Sequence, residues 1–233
     1  MKTYIIYLSG NDFSVKMAKE ASQSLDKFDI KYELFDGVVG SKGIDVLESY
    51  GIKPSAYVKM EHWTNGTIGC LASHYMLWDM CAEQDEPFLI LEQDAVVVRD
   101  PRDLLEDIDR VCHLDSYLPF SSSADGEEHF NAYNASMENY EPGVHKHPAS
   151  KFYESNAITG NTFRGAYAYI MKPDGAKDVL EFIKKHGAFP ADACLCESAT
   201  FLQRANSTHV RLNPFFNRLD VQRKFSMRND SFK

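Results

Sequence analysis

Residues 87–98 read PFLILEQDAVVV, an apolar run that carries two carboxylates near its centre. A short run this apolar predicts a buried β-strand. Charged side chains in a protein interior are costly unless they are paired, hydrogen-bonded or bound to a metal. We therefore expect Glu92 and Asp94 to lie at the carboxyl end of the strand, where ligands collect in open α/β sheets.

The segments on either side of this run alternate between strand and helix patterns. Strands are predicted over 3–8, 30–35, 165–171 and 209–212, and helices over 13–27, 67–83, 102–110, 173–186 and 190–204, with short helices within 41–60. This alternation predicts the α/β class with a mixed, largely parallel sheet. We interpret residues 1–233 as one domain, with a long variable loop at about 121–164 and a basic C-terminal segment at 201–233.

The charge of the chain is unevenly spread. The 233 residues carry a net charge of −9, yet residues 201–233 hold seven Lys and Arg against two Asp. A basic end on an acidic body either contacts an anion, such as a diphosphate or a nucleic acid, or is a solvated tail. Both interpretations stay open at this point.

Composition points to a soluble globular protein, with 44% hydrophobic and 25% charged residues. No apolar run approaches the roughly 20 residues that cross a bilayer, so we expect no transmembrane segment. The opening MKTYIIYLSG predicts a strand and not a signal peptide. Five cysteines without framework spacing favour a reduced, cytoplasmic chain.

The two acids of the run could bind a cation together. Side chains at i and i+2 of a strand point to one side, so Glu92 and Asp94 would face the same way if the strand continues. Two carboxylates in this position suit Mn²⁺ or Mg²⁺, which could bridge the phosphates of a nucleotide. The alternative is that Asp94 merely caps a turn.

A second group of residues lies upstream, in GTIGCLASH at 66–74. Glycines such as Gly69 would free the backbone at a helix start, where N–H groups favour an anion. Ser73 and His74 follow in the first turns, although a histidine in this setting is also commonly a hydrogen-bonded core residue. The chain contains neither a P-loop nor a dinucleotide-binding glycine motif.

The pairing of GTIGCLASHYMLW (66–78) with FLILEQDAVV (88–97) resembles glycosyltransferase family 25. That family has a Gly-x-x-Gly-Cys-x-x-Ser-His segment followed by an apolar strand that ends in Glu-Asp-Asp. FDGVVG (35–40), GAYAYIMKPDGAKDVL (165–180) and FPADACL (189–195) are similar to its other motifs, and residues 100–160 show no match. The resemblance implies a GT-A-like nucleotide-sugar-binding fold and an inverting transfer that depends on a divalent cation.

The resemblance also assigns donor and metal residues by position. Asp94 would be the main ligand of Mn²⁺ or Mg²⁺, and Glu92 would contact the ribose or a metal-bound water. Gln93 stands where the family has its middle Asp, which departs from the pattern but keeps both outer acids. Ser73 and His74 match the Ser-His pair and would lie near the donor.

An inverting transfer needs a general base for the acceptor proton. Asp192 is the candidate because it matches the Pro-x-Asp element, although it could instead be a helix N-cap, and Glu197 is the reserve. His209 could add a metal or diphosphate contact, and Arg211 or Arg218 could neutralise phosphate charge. These last three expectations come from chain position and charge.

Together these features predict a metal-dependent glycosyltransferase that moves a sugar from a nucleoside diphosphate, with UDP the expected nucleotide, to a hydroxyl of a glycan or lipopolysaccharide. One alternative is a bacteriophage enzyme that acts in the host cytoplasm on hydroxymethylated bases in DNA. The basic end favours that acceptor, whereas a pI of 5.4 argues against broad DNA affinity. Another alternative is an inactive sugar-nucleotide binder whose chemistry is lost at Gln93.

Overall fold

The computed structural model describes residues 1–56, 58, 63–115, 141–147, 158–163 and 165–213. The strands are β1 (Lys2–Tyr7), β2 (Glu33–Asp36), β3 (Phe88–Glu92), β4 (Ala95–Val97), β5 (Val111–His113), β6 (Val144–Lys146), β7 (Ala168–Met171), β8 (Leu202–Ala205) and β9 (Val210–Leu212). The helices are α1 (Asp12–Asp26), α2 (Lys42–Ser49), α3 (Asn65–Ala82), α4 (Pro173–His186) and α5 (Ala191–Cys194), with a 3₁₀ helix at Pro101–Leu104.

Seven of the strands form one mixed sheet in the order β2-β1-β3-β7-β5-β8-β6. β1 runs parallel to β2 and β3, and β5 runs parallel to β8. β7 lies antiparallel between β3 and β5, and β6 is antiparallel to β8. Only β6 and β7 therefore run against the others, which confirms the predicted α/β class with a mixed, largely parallel sheet.

Both faces of this sheet are buried. Phe88 and Ile90 of β3 pack in a core with residues of α3, α4 and α5, whereas Leu89 and Leu91 pack on the other face with residues of α1. Successive side chains of a strand point to opposite faces. Two-sided burial thus explains why β3 is apolar at every position before Glu92.

The predicted strand at 87–98 is broken where its acids lie. β3 ends at Glu92, residues 93 and 94 form a turn, and β4 continues into a separate two-stranded sheet with β9. The polar residues mark the point where the chain leaves the double-sided core. The prediction that the acids lie at the carboxyl end of a buried strand is confirmed, but the strand does not continue through them as their facing the same way required, because residues 93 and 94 form a turn.

Two predicted helices are also wrong. Of the predicted helix 190–204, only Ala191–Cys194 is helical, and residues 202–205 form β8, which pairs with β5. The predicted helix 102–110 is replaced by the 3₁₀ helix Pro101–Leu104, and β5 follows it. Strands of three or four residues are too short to show a two-residue period. They form because of the strands with which they pair, and the local pattern does not reveal them.

The predicted irregular loop at 121–164 lies largely outside the described residues, but residues 144–146 form β6 against β8. Of the basic segment 201–233, residues up to 213 are described and contribute β8 and β9. The single-domain interpretation stays a prediction. Among the described helices, not one combines the length and apolarity required to span a membrane.

Candidate functional site

The carboxyl ends of β1, β2, β3 and β5 meet at one edge of the sheet, and the start of β7 joins them there. The backbone N–H of Glu92 donates to the carbonyl of Tyr167, just before β7, at 2.8 Å. Beside them, Asp36 at the end of β2 accepts hydrogen bonds from the backbone N–H and the hydroxyl of Ser9. This is the edge at which open α/β sheets bind ligands.

Glu92 ends a chain of buried hydrogen bonds. Its Oε1 lies 3.2 Å from Nε2 of His74, and Nδ1 of His74 lies 2.8 Å from the hydroxyl of Tyr169. Trp78 donates its indole N–H to the same hydroxyl at 2.7 Å. Because a neutral histidine that accepts from Tyr169 carries its proton on Nε2, His74 donates to Glu92 and orients its carboxylate. His74 is thus both a buried, hydrogen-bonded residue and a neighbour of the acid pair, Glu92 and Asp94.

Asp94 lies in the turn that follows. Its Oδ1 is shielded from solvent and has no hydrogen-bond partner among the described residues. Burial, and then the negative charge of Glu92, raise the pKa of Asp94 to about 8. A bound cation would supply the missing partner and neutralise the repulsion, so the pair fits a divalent cation.

Gln93 points away from the acid pair. Its side chain is buried, and its amide oxygen accepts a hydrogen bond from the hydroxyl of Ser14 at the start of α1. Ser14 in turn accepts from the backbone N–H of Leu8 at 2.7 Å. The expected donor contact of Gln93 is therefore not supported, because this side chain anchors the turn to α1.

Gly69 and Ser73 hold α3 against the loop that follows β2. A Cβ atom at Gly69 would lie 2.5 Å from the carbonyl oxygen of Val38. Ser73 accepts from the backbone N–H of Val38 and donates to the carbonyl of Gly69, both at 2.8 Å. The expected donor contacts of these two residues are not supported, since glycine is needed here for close backbone packing.

Asp192 faces the same edge of the sheet. Its side chain is almost fully buried, and Oδ2 accepts from the backbone N–H of Gly165 at 3.3 Å. Gly165 precedes Tyr167, whose carbonyl binds Glu92, so Asp192 is tied to the segment that borders the acid pair. The N-cap alternative is wrong because Pro190 precedes the first turn of α5.

Glu197, the reserve base, lies elsewhere. Its carboxylate is 3.2 Å from Nζ of Lys146 and accepts from the amide of Asn161 at 2.7 Å. With these residues it lines a cavity of about 210 Å³ beside β6, which is the edge strand farthest from β2. Because its charge is already paired there, the structure gives it no place in the acid-pair site.

His209 is not brought to the acid pair. Its backbone carbonyl accepts from Val98, four residues beyond Asp94, and its ring nitrogens contact Ser207 and Asp103. The prediction that His209 shares a metal with Asp94 is wrong, because the pairing of β4 with β9 places His209 opposite Val98 and not opposite Asp94.

Two predicted phosphate contacts stay predictions. Arg211 has an exposed side chain and lies opposite Val96 in the pairing of β4 with β9. Val96 is two residues beyond Asp94 in the chain. Arg218 lies outside the described residues.

Three residues near the site, Tyr167, Asp115 and Arg204, are not predicted as site residues from the sequence. Tyr167 donates its hydroxyl to Oδ2 of Asp115 at 2.6 Å, and the guanidinium of buried Arg204 donates to the backbone carbonyl of Asp115. Burial, and then Asp115, raise the pKa of Tyr167 well above its usual value. Tyr167 belongs to the motif GAYAYIMKPDGAKDVL, whereas Arg204 lies in a segment whose pattern predicts a helix and Asp115 lies in no motif.

An α/β sheet with two acids at its carboxyl edge, one of which has a buried oxygen without a partner in the described part of the chain, is typical of enzymes that bind nucleotides through a cation. The chain belongs to glycosyltransferase family 25 (LPS biosynthesis protein), whose family model matches residues 1–195. This confirms the family that the sequence motifs indicated, and a GT-A-like α/β fold agrees with the observed sheet.

A curated relative is the lipooligosaccharide biosynthesis protein lic2B of Haemophilus influenzae, 34% identical over 85 residues. The match covers 36% of this chain and 29% of the relative, so it spans less than a third of that protein. Similar solved structures include the galactosyltransferase LgtC with donor and acceptor sugar analogues, at 12% identity and a TM-score of 0.41, covering 84% of this chain and 69% of that one. Mouse xyloside xylosyltransferase 1 follows at 10% identity and a TM-score of 0.38, covering 84% and 80%.

Proposed function

We propose that this protein is a cation-dependent glycosyltransferase that moves a sugar from a nucleoside diphosphate sugar, expected to be a UDP-sugar, to a hydroxyl of a glycan or lipopolysaccharide. The observation that carries the proposal is the Glu92–Asp94 pair at the carboxyl edge of the sheet. One oxygen of Asp94 is buried and lacks a partner among the described residues, while the neighbouring acid repels it. Membership of family 25 supports the reaction class.

Asp94 and Glu92 would hold Mn²⁺ or Mg²⁺. When bound, such an ion neutralises charge on the leaving diphosphate. The residues around the pair keep it in position: His74 orients Glu92, and Gln93 anchors the turn through Ser14. Preorganised groups of this kind cost no rearrangement during the reaction.

Asp192 would be the general base of an inverting transfer. The acceptor oxygen attacks the anomeric carbon, the bond from that carbon to the diphosphate oxygen breaks, and the acceptor proton passes to the Asp192 carboxylate. Its burial and its link to Gly165, beside the segment that binds Glu92, support this role.

The direct test is a donor screen with purified protein and Mn²⁺, in which mass spectrometry follows the release of nucleoside diphosphate. We expect slow hydrolysis of one sugar nucleotide without acceptor, lost on chelation of the cation. Glycan and hydroxymethylated-DNA acceptors run in parallel distinguish the glycan acceptor from the DNA alternative. Cation-dependent binding of a sugar nucleotide without any turnover would instead support the inactive binder and contradict the proposal.

A further inference from the structure

Cys70, His74 and Glu92 bring three different ligand atoms together. Cys70 and His74 lie one turn apart on α3 and therefore face the same side of the helix. Sγ of Cys70 is 3.6 Å from Oε1 of Glu92, and Nε2 of His74 is 3.2 Å from the same oxygen. The three ligand atoms all lie within 4.8 Å of one another.

The two separations that involve Glu92 match edges of a tetrahedral zinc site, and the sulfur and nitrogen atoms lie within 4.8 Å of each other. With Zn–S of about 2.3 Å and Zn–N and Zn–O of about 2.0–2.2 Å, tetrahedral angles place sulfur and oxygen roughly 3.6 Å apart and nitrogen and oxygen roughly 3.4 Å apart. The observed distances are 3.6 and 3.2 Å. An ion could therefore enter with only small shifts of Glu92 and Cys70, both of which are partly exposed.

The hydrogen bonds around Nδ1 of His74 are suited to a histidine that binds a metal through Nε2. A ligating histidine usually donates its second ring N–H to a fixed acceptor. Here Nδ1 faces the hydroxyl of Tyr169, whose oxygen also accepts from Trp78. Once its own hydroxyl hydrogen turns away from His74, the Tyr169 oxygen can accept from both Trp78 and the Nδ1–H form of His74, which leaves the Nε2 lone pair aimed at Glu92.

We propose that Cys70, His74 and Glu92 form a second metal site that takes a borderline-soft cation such as Zn²⁺. Thiolate and imidazole ligands select zinc-like ions, whereas the carboxylates of Glu92 and Asp94 suit Mg²⁺ or Mn²⁺. On binding, the Cys70 thiol gives its proton to solvent as the metal–sulfur bond forms, and the ring proton of His74 moves from Nε2 to Nδ1. Since both sites use Glu92, zinc weakens Mn²⁺ binding; this consequence alone rests on the proposed function.

Cobalt(II) titration of the purified full chain tests the site without needing activity. We expect saturation at one equivalent, with thiolate-to-cobalt charge-transfer absorption in the near ultraviolet that Zn²⁺ abolishes. The Cys70→Ala variant should lose this absorption while keeping its melting temperature, and Cys70→Ser is the second variant if Cys70→Ala is unstable. Tyr169→Phe should weaken cobalt binding about tenfold or more.

Asp94→Asn separates this site from the proposed donor site. It should keep the charge-transfer absorption while losing Mn²⁺-dependent donor binding. Absence of the absorption in the wild-type chain, or its persistence in the folded Cys70→Ala variant, would overturn the second site and leave the proposed function untouched. Absence of donor turnover in the wild-type chain, with the absorption intact, would overturn the proposed function and leave the second site untouched.

Discussion

Nε2 of His74 lies 3.2 Å from Oε1 of Glu92, and this contact joins the buried centre of α3 to the end of β3. Tyr169 of β7 and Trp78 of α3 complete the network from behind. Three packed elements therefore fix one carboxylate at the edge of the sheet. A site acid held this way does not have to be reoriented when a ligand arrives.

Removal of the Tyr169 hydroxyl should destabilise the fold. In Tyr169→Phe the indole N–H of Trp78 and Nδ1 of His74 lose their shared partner inside the protein, which costs about 1–3 kcal/mol for a buried unsatisfied group. Urea denaturation measures this loss. Tyr50→Phe is the matched control, because Tyr50 is 38% exposed and should change the unfolding free energy by less than about 0.5 kcal/mol. Equal effects of the two substitutions would contradict the buried network.

Gly69 is required for packing. In Gly69→Ala the new methyl would meet the carbonyl oxygen of Val38 at 2.5 Å, so the helix or the loop must move. We expect a loss of about 1–3 kcal/mol in unfolding free energy. Gly10→Ala provides the control, since none of the residues that the structure describes has an atom within 4 Å of a Cβ atom built there. If Gly69→Ala is as stable as Gly10→Ala, the close approach of α3 to this loop is not real.

An acid at position 93 should not improve metal binding. Gln93→Glu places a charge in a buried position against Ser14, close in the chain to two existing carboxylates. We expect about 1–3 kcal/mol of destabilisation and unchanged affinity for Mn²⁺. Thermal unfolding and calorimetric titration with Mn²⁺ measure the two effects. A gain in Mn²⁺ affinity would show that residue 93 faces the cation after all.

Cation binding should depend on pH through Asp94. The folded protein holds a proton on this carboxyl up to a pKa of about 8, whereas the unfolded chain has lost it above about pH 4. Folding therefore takes up a proton in this window, so the group lowers stability as pH rises towards 8. Mn²⁺ must displace that proton, and its association constant should rise about tenfold per pH unit below about pH 8.

Calorimetric titration with Mn²⁺ at several pH values checks this dependence. The Asp94→Asn variant is the control: because it lacks the carboxylate that binds the cation and has no proton to release there, it should bind Mn²⁺ far more weakly and without the tenfold rise per pH unit. A flat profile in the wild-type chain would mean that Asp94 is already ionised at neutral pH.

The residue pattern predicts the structure best where burial alone decides it. β3 is apolar on both faces, so its position and the location of Glu92 and Asp94 at its end followed from the residue pattern. The family motifs added Asp192, which lies beside Gly165 at the same edge of the sheet.

Long-range contacts were not predictable from local patterns. The local pattern of β8 predicts a helix, because its partner β5 lies about 90 residues earlier and is itself only three residues long. Gln93 looked like part of the acid motif, but adjacent side chains point to opposite sides, and its partner Ser14 is 79 residues away. Only the assembled sheet shows which polar residues meet.

In the proposed function, Asp94 binds the cation that holds the donor. The decisive measurement is cation-dependent UDP-sugar hydrolysis by the wild-type chain, by Asp94→Asn and by Asp174→Asn. Asp174 is a matched exposed acid at the start of α4, near the opposite edge of the sheet, where it pairs with Arg110 and Lys177. We expect turnover of the UDP-sugar to fall at least about 100-fold in Asp94→Asn, as it does when a key electrostatic group is removed. Asp174→Asn should keep the turnover of the wild-type chain. Full Mn²⁺-dependent turnover in Asp94→Asn would contradict the account.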